Sequence, residues 1–132
     1  MKKLTGFAAG LALLLAALPG SAHHSFAAEF DASKPVNLTG AVTKVEWMNP
    51  HTWFYIDVKD ETGKVTNWAV EMGSPNGLMR AGWTRNSLKQ GDSVTVSGSL
   101  AKDGSNLANA RQVTLADGKR VFAASSESEN KQ

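Results

Sequence analysis

Alternating apolar and polar positions dominate this chain after its first two dozen residues, and a period of two predicts β-strands. The clearest strand runs from residue 51 to residue 59. One of its faces carries three apolar side chains, Phe54, Ile56 and Val58. The other face carries His51, Trp53, Tyr55, Asp57 and Lys59. We therefore predict a strand that is buried on one side only.

The first predicted strand is long and curved. Residues 36–42 alternate, and the phase of the alternation then shifts at Thr43 and Lys44, close to Gly40. A phase shift beside a glycine is typical of a β-bulge or a sharp bend.

Three more segments alternate in the same way, at 65–72, 93–100 and 108–115. A loop with Gly63 joins the first of them to the strand at 51–59, which predicts a hairpin. Asp117 and Gly118 predict a second hairpin turn, which leads into a short β-ribbon at 119–122.

One short helix interrupts the strands. Ser74 suits the N-cap and Pro75 the first turn, so we predict a helix from about Ser74 to Gly82, between the third and fourth strands. This order predicts an all-β protein with one short helix, built as a small OB-like five-stranded barrel. An open β-sandwich is the alternative, and the helix position favours the barrel. OB-folds bind ligands on the face of strands two and three and in adjoining loops.

Residues 1–22 have the features of a cleavable signal peptide. Lys2 and Lys3 precede an apolar run at 7–18, and small residues follow it up to Ala22. The run is shorter than the ~20 residues that span a bilayer, which favours cleavage over a retained anchor. We therefore expect a periplasmic or secreted protein. Cleavage after Ala27 is a second possibility.

The remaining chain divides into three parts. We predict an irregular N-terminal arm at 23–35, the OB-like domain at 36–122 and a disordered tail at 123–132, because the tail is polar. Loss of Lys2 and Lys3 lowers the count of Lys and Arg from 14 to 12, which equals the 12 Asp and Glu. A chain without a basic excess is not expected to bind nucleic acid. The chain has no cysteine, so disulfides cannot stabilise it.

Several short motifs resemble those of a family of small exported bacterial proteins that is catalogued only as a domain of unknown function. The motifs are His23–Phe26, Gly40–Trp47, Asn49–His51, Asn67–Ala69 and Gly82–Thr84. The resemblance covers the chain from residue 23 onward and implies export and a single small β domain. It implies no activity.

The three histidines are the strongest chemical signal. His23 and His24 would be the first residues after cleavage, and an N-terminal histidine offers its α-amino group and ring Nδ1 as one chelate. Sites rich in nitrogen suit Cu(II), and also Ni(II) or Zn(II). His51 could supply a third ligand from the domain. This ligand set resembles the N-terminal histidine brace of some exported copper proteins. The alternative is that His23 and His24 have no metal role and that His51 only bonds the neighbouring turn.

Aromatic side chains give a second candidate surface. Trp53 and Tyr55 lie on the face opposite Phe54 and Ile56, and Trp47 and Asn49 stand just before this strand. Exposed Trp and Tyr contribute much of the energy of binding surfaces. Alternatively, the N-terminal arm covers Trp53 and Tyr55 with Phe26 or Phe30, which would bring His23 and His24 near His51.

Enzyme motifs are weak. There is no cysteine nucleophile and no Gly-x-Ser-x-Gly sequence. We therefore predict a non-enzymatic exported binding protein that chelates copper or another transition metal or binds a small ligand. The alternatives are a metal-free domain that docks a partner protein or envelope polymer, and a copper-dependent oxidoreductase.

Overall fold

The computed structural model describes residues 26–125 of the chain as a sheet with two short helices. The helices are α1 (Phe26–Glu29) and α2 (Pro75–Arg80). The strands are β1 (Phe30–Glu46), β2 (Trp53–Lys59), β3 (Val65–Glu71), β4 (Ser93–Ala101), β5 (Leu107–Thr114) and β6 (Arg120–Phe122). The predicted class, mostly β with a short helix between the third and fourth strands, is confirmed.

The strands pair in the order β3-β2-β1-β4-β5-β6. Each of these neighbouring pairs is antiparallel. All of them except β1–β4 are joined by a short loop, for which antiparallel pairing is expected. β3 also pairs with β5, in parallel. Hydrogen-bonded pairing therefore runs from β3 through β2, β1, β4 and β5 and returns to β3.

The predicted bend in β1 is confirmed. Its register against β2 shifts between Val42 and Lys44, at the position where the alternation changes phase. Gly40 allows β2 to approach closely, because a Cβ there would lie 2.3 Å from the backbone oxygen of Asp57. The strand is 17 residues long and contributes pairs to both β2 and β4.

The predicted cap of α2 is also confirmed. Ser74 is the N-cap, and its Oγ accepts a hydrogen bond from the Gly77 amide at 3.1 Å. Pro75 occupies the first turn, where its missing N–H costs nothing. The helix ends before Gly82, whose φ of 98° suits glycine.

The main core lies between the sheet and α2. Phe54 and Ile56 of β2 are fully buried, as predicted, and Val70 and Leu78 pack with them. Trp83 belongs to this core, and its indole Nε1 donates a hydrogen bond to the Phe122 carbonyl at 2.8 Å. Burying the indole is possible because its one donor finds an acceptor.

The start of the domain differs from the prediction. We expected an irregular arm up to residue 35, but Phe26–Glu29 is helical and β1 begins at Phe30. Phe26 and Phe30 stack at 5.6 Å and form a second small core with Ala101 and Leu107. The register of β1 against β4 shifts between Asp31 and Pro35. Because of this irregularity, alternation of apolar and polar residues does not predict the first part of β1.

The end of the domain differs too. The predicted five-stranded arrangement is wrong in number, because β6 adds a sixth strand by pairing with β5. Residues 123–125, which we expected to be disordered, are buried. The Gly73 amide donates to the Ala123 carbonyl at 2.9 Å, and the Ala123 amide donates to the Arg111 carbonyl at 2.9 Å. The rest of the predicted tail, 126–132, lies outside the described residues.

The predicted signal peptide, residues 1–22, also lies outside the described residues. Within residues 26–125, no helix is long and apolar enough to cross a membrane.

Gly73 is predicted to tolerate no side chain. A Cβ there would lie 1.9 Å from the Ala124 backbone oxygen, so Gly73→Ala must displace the C-terminal segment. We expect the free energy of unfolding to fall by about 1–3 kcal/mol, measured by thermal or urea denaturation. Gly77→Ala is the matched control, because its Cβ would lie at least 3.3 Å from its neighbours and alanine favours the helix. Equal stability of the two variants would contradict this account of Gly73.

Candidate functional site

His51 and Trp53 share one face of the sheet with a carboxylate from β3. Trp53 pairs directly with Glu71 in the β2–β3 hairpin, and Tyr55 pairs with Ala69. Side chains of directly paired residues lie on the same face. This face is opposite the one that carries Phe54 and Ile56 into the main core.

His51 is held in place by backbone bonds of the residue after it. The Thr52 amide donates to the Gly73 carbonyl at 3.0 Å, and the Thr52 carbonyl accepts from the Met72 amide at 2.9 Å. The hydrogen bonding between β2 and β3 therefore continues beyond the start of β2 and the end of β3. The His51 side chain is 20% exposed, and its Nδ1 lies 3.6 Å from Glu71 Oε1.

Glu71 is almost fully buried, at 3% exposure. Its Oε1 accepts a hydrogen bond from Asn109 Nδ2 at 3.0 Å, and Asn109 Oδ1 accepts one from the Ser125 hydroxyl. Asn109 and Ser125 are buried as well. A buried carboxylate is costly unless hydrogen bonds or an opposite charge compensate it. We call these four residues, His51, Glu71, Asn109 and Ser125, the Glu71 cluster.

The cluster joins elements that are far apart in sequence. The parallel pairing of β3 with β5 places Glu71 directly beside Asn109. The segment after β6 then brings Ser125 onto Asn109. The cluster therefore runs from a partly exposed imidazole to a fully buried hydroxyl.

Sequence reasoning missed three of these four residues. Glu71 falls on the polar phase of its predicted strand, Asn109 is a polar residue within another, and Ser125 lies in the predicted tail, so exposure is the ordinary expectation for all three. The register of the β2–β3 hairpin could have placed Glu71 near His51. If Lys59 pairs with Val65 across the turn, Trp53 pairs with Glu71. The burial of Glu71 depends on β5 and the C-terminal segment, which local patterns do not reveal.

The other two predicted metal ligands, His23 and His24, lie outside the described residues. Between residues 26 and 125 there is no group of three or more His, Cys, Asp or Glu side chains that could hold a metal ion. The described domain thus supplies His51 and one neighbouring carboxylate toward any such site.

Trp53 and Tyr55 are half-buried on the outer face of β2. Lys44 of β1 lies with its Nζ 5.5 Å from the centre of the Tyr55 ring and also pairs with Glu46. The hydrogen bond to Glu46 raises the pKa of Lys44 above its ordinary value. Phe26 and Phe30 pack with Ala101 and Leu107 in the second small core. That the N-terminal arm covers Trp53 and Tyr55 stays a prediction.

Trp47 does not extend this surface, and the role predicted for Asn49 stays a prediction. Trp47 packs against the main core, beside Met72, Trp83 and Leu88. Its position follows from the alternation, because Glu46 pairs with Trp53 and the next residue turns to the other face. Asn49 is exposed in the turn before His51.

The family comparison confirms the resemblance to a catalogued domain of unknown function. The model of a family described as "Family of unknown function (DUF6152)" matches residues 11–110. The chain belongs to this family. The matched range contains all three histidines, Glu71 and Asn109, and it ends before β6 and Ser125. No curated protein matches the chain.

Three solved structures are similar to parts of the chain. A TiaS mutant without its ZRD, in complex with agmatine, is 21% identical with a TM-score of 0.50, over 74% of this chain and 28% of that chain. The complex of TiaS with a tRNA and ATP is 23% identical with a TM-score of 0.46, over 64% and 18%. The N-terminal domain of PriB from Thermoanaerobacter tencongensis is 17% identical with a TM-score of 0.41, over 63% and 96%. The chain thus spans less than a third of either TiaS chain, and the first likeness shows a similar fold only.

Asn109 is predicted to be essential for the stability of the Glu71 cluster. Asn109→Ala removes the donor to Glu71 and the acceptor for Ser125, which leaves buried polar groups without these bonds. We expect a loss of about 1–3 kcal/mol in the free energy of unfolding, measured by urea denaturation. Asn86→Ala, at an exposed loop position, is the control and should change stability by less than about 0.5 kcal/mol. A loss at Asn109 no greater than at Asn86 would disprove the structural role of the cluster.

Proposed function

We propose that this DUF6152 protein is exported and binds a transition-metal ion without catalysing a reaction. The ligands are His51 and the two histidines at 23 and 24. Export is supported by the features of residues 1–22. Cleavage after Ala22 would make His23 the first residue.

The observation that carries this proposal is the position of His51 against a buried carboxylate. Histidines that bind metals are almost always oriented by a carboxylate, a carbonyl or a water on their second ring nitrogen. Glu71 Oε1 lies 3.6 Å from His51 Nδ1, within ion-pair distance, and the backbone bonds of Thr52 fix the main chain beside the imidazole. An isolated surface histidine would need neither feature.

The start of the described chain also supports the proposal. Phe26 packs in the small core with Leu107, and Leu107 lies two residues before Asn109 on the same face of β5. That step is about 7 Å along a strand. His24 precedes Phe26 by two residues, which can span at most about 7 Å. Phe26 is thus packed near the start of β5, the strand that carries Asn109.

The chemistry of the ligands favours Cu(II). An N-terminal amine and two or three imidazoles form a nitrogen-rich set, which suits Cu(II) best and also Ni(II) or Zn(II). Methionine ligands for Cu(I) are not part of the proposal, because Met72 is buried in the main core.

His51→Ala should weaken Cu(II) binding at least about tenfold, because it removes a ligand that the fold has already positioned. Acetylation of the N-terminal amine of the exported protein should have a similar effect. Affinity is measured by competition with a chelator of known strength, and intact mass confirms the first residue. Asn49→Ala, in the same turn, is the control and should leave affinity unchanged. Unchanged affinity in both His51→Ala and the acetylated protein would refute the proposal.

A second candidate function uses the open face of β2. We propose that the strands form an OB-like barrel, which is supported by the closed circuit of pairings and by α2 between β3 and β4. The outer face of β2 and β3 is the ligand surface of such barrels. Trp53 and Tyr55 would there dock a partner protein or an envelope polymer. Nucleic acid is not the proposed ligand, because residues 23–132 have equal numbers of acidic and basic side chains.

Trp53→Ala should weaken binding to such a partner at least about tenfold, because tryptophan side chains contribute strongly to interfaces. Binding to an envelope polymer is measured by co-sedimentation of the exported protein with the isolated polymer. Binding to a partner protein is measured by cross-linking to other exported proteins. Phe122→Ala is the control, since Phe122 is 49% exposed on β6, away from β2. Cu(II) affinity should not change in either variant. Equal binding by Trp53→Ala and the unmodified protein would remove this second function.

A further inference from the structure

An open groove of about 330 Å³ crosses β1, β4 and β5. Pockets of about 300–1,000 Å³ are typical sites for small ligands. We propose that this groove binds a small sugar acid, a ligand that carries one carboxylate and several hydroxyl groups. The groove shares no residue with the Glu71 cluster or with the pair Trp53 and Tyr55. Its lining residues are Pro35, Val36, Asn37, Ser97, Gly98 and Arg111.

The groove lies on the face of the sheet that points away from the main core. Asn37 of β1 pairs directly with Ser97 of β4, so their side chains share one face. The next pair along the two strands, Leu38 and Val96, is buried in the main core on the opposite face. The side chains of Asn37 and Ser97 are therefore directed to the outside of the domain.

A β-bulge brings Arg111 to the groove. Where β4 pairs with β5, Ser97 lies opposite Gln112 and Gly98 lies opposite Ala110, so Arg111 is the extra residue of β5. A bulge redirects a side chain, and bulges are over-represented beside functional sites. The Arg111 side chain is exposed and lines the groove. The irregular register therefore adds a guanidinium to a part of the sheet that is otherwise lined by small and uncharged residues.

Three of the lining residues form a mainly apolar surface. Val36 is half-buried against the main core, and Pro35 is exposed beside it. Gly98 contributes only backbone, because a Cβ there would lie 1.9 Å from the Asn109 backbone oxygen. The C–H groups of a sugar ring can pack on such a surface and lose contact with water.

The polar groups of the groove suit a carboxylate and hydroxyl groups. A guanidinium binds a carboxylate through two parallel hydrogen bonds, and Arg111 supplies this group. The Ser97 hydroxyl donates to Asn37 Oδ1 at 3.4 Å, so Ser97 Oγ can accept a hydrogen bond from a sugar hydroxyl. The Asn37 Nδ2 group donates no hydrogen bond to residues 26–125 and can donate to a second hydroxyl.

The charges of this part of the sheet favour an acidic ligand of low charge. Strands β4, β5 and β6 contain no Asp or Glu, whereas β5 and β6 carry Arg111 and Arg120. The acid that precedes the groove in β1, Asp31, accepts hydrogen bonds from the amide and hydroxyl of Ser33. One guanidinium in the groove matches one carboxylate. A nucleic acid would require several cationic side chains along its phosphates.

The test is a titration of the exported protein with sodium glucuronate, followed by calorimetry and by the amide resonances of the protein in NMR spectra. Glucose, which lacks the carboxylate, and acetate, which lacks the hydroxyl groups, are titrated for comparison. We expect glucuronate to bind at one site and to shift the resonances of Asn37, Ser97 and Gly98. Glucose and acetate should bind at least about tenfold more weakly, because each makes only part of the contacts.

Variants identify the residues that bind the ligand. Arg111→Gln should weaken glucuronate binding at least about tenfold, and Asn37→Ala about fivefold. Arg85→Gln is the matched control, because Arg85 is an exposed arginine in the loop after α2 and does not line the groove. Trp53→Ala and His51→Ala should also bind glucuronate normally, which separates this site from both proposed functions. Thermal denaturation checks that each variant is folded.

Several results would overturn the inference. The unmodified protein could bind no glucuronate at millimolar concentration, or the shifted resonances could all lie outside the groove. Equal affinity for acetate and glucuronate would show that the groove holds an adventitious ion only. Tighter binding of inorganic phosphate than of glucuronate would assign the groove to phosphate ligands. Unchanged affinity of folded Arg111→Gln would exclude the proposed contact with the carboxylate.

Discussion

The pairing of β3 with β5 is the constraint on which the rest of the site depends. It is the one parallel pairing among the strands of residues 26–125, and it places Glu71 beside Asn109. The hydrogen bond from Asn109 helps the Glu71 carboxylate to remain almost fully buried. Without this bond, the desolvation of Glu71 would oppose the pairing that buries it. The fold and the candidate site are thus stabilised by the same contact.

Both ends of the described chain meet this region. Phe26 and Phe30 cover the start of β5, and Ala123–Ser125 pack against Gly73 and Asn109. Ala123 and Ala124 belong to the main core, whereas Phe26 and Phe30 form the second small core. The next residue, Ser125, donates its hydroxyl to Asn109 of the Glu71 cluster. The C-terminal segment thus packs against the main core and the Glu71 cluster together.

Local sequence patterns were sufficient for most of the elements. Alternation located β2 and the bulge in β1, and the Ser74–Pro75 pair located α2, because each signal acts over a few residues. The same alternation placed His51 and Trp53 on one face. It could not reveal that Glu71 is buried, since burial comes from contacts between β3, β5 and Ser125. The small side chains of residues 123–125 give no strong hydrophobic signal, yet their size is what allows them to fit against Gly73.

The central claim is that the exported protein binds a divalent metal ion and that His51 is one of its ligands. The most direct measurement is a crystal structure of the exported protein grown with Zn(II), with anomalous diffraction recorded on both sides of the zinc edge. The account predicts one strong anomalous peak about 2.0–2.1 Å from a ring nitrogen of His51. No peak at His51 would contradict it.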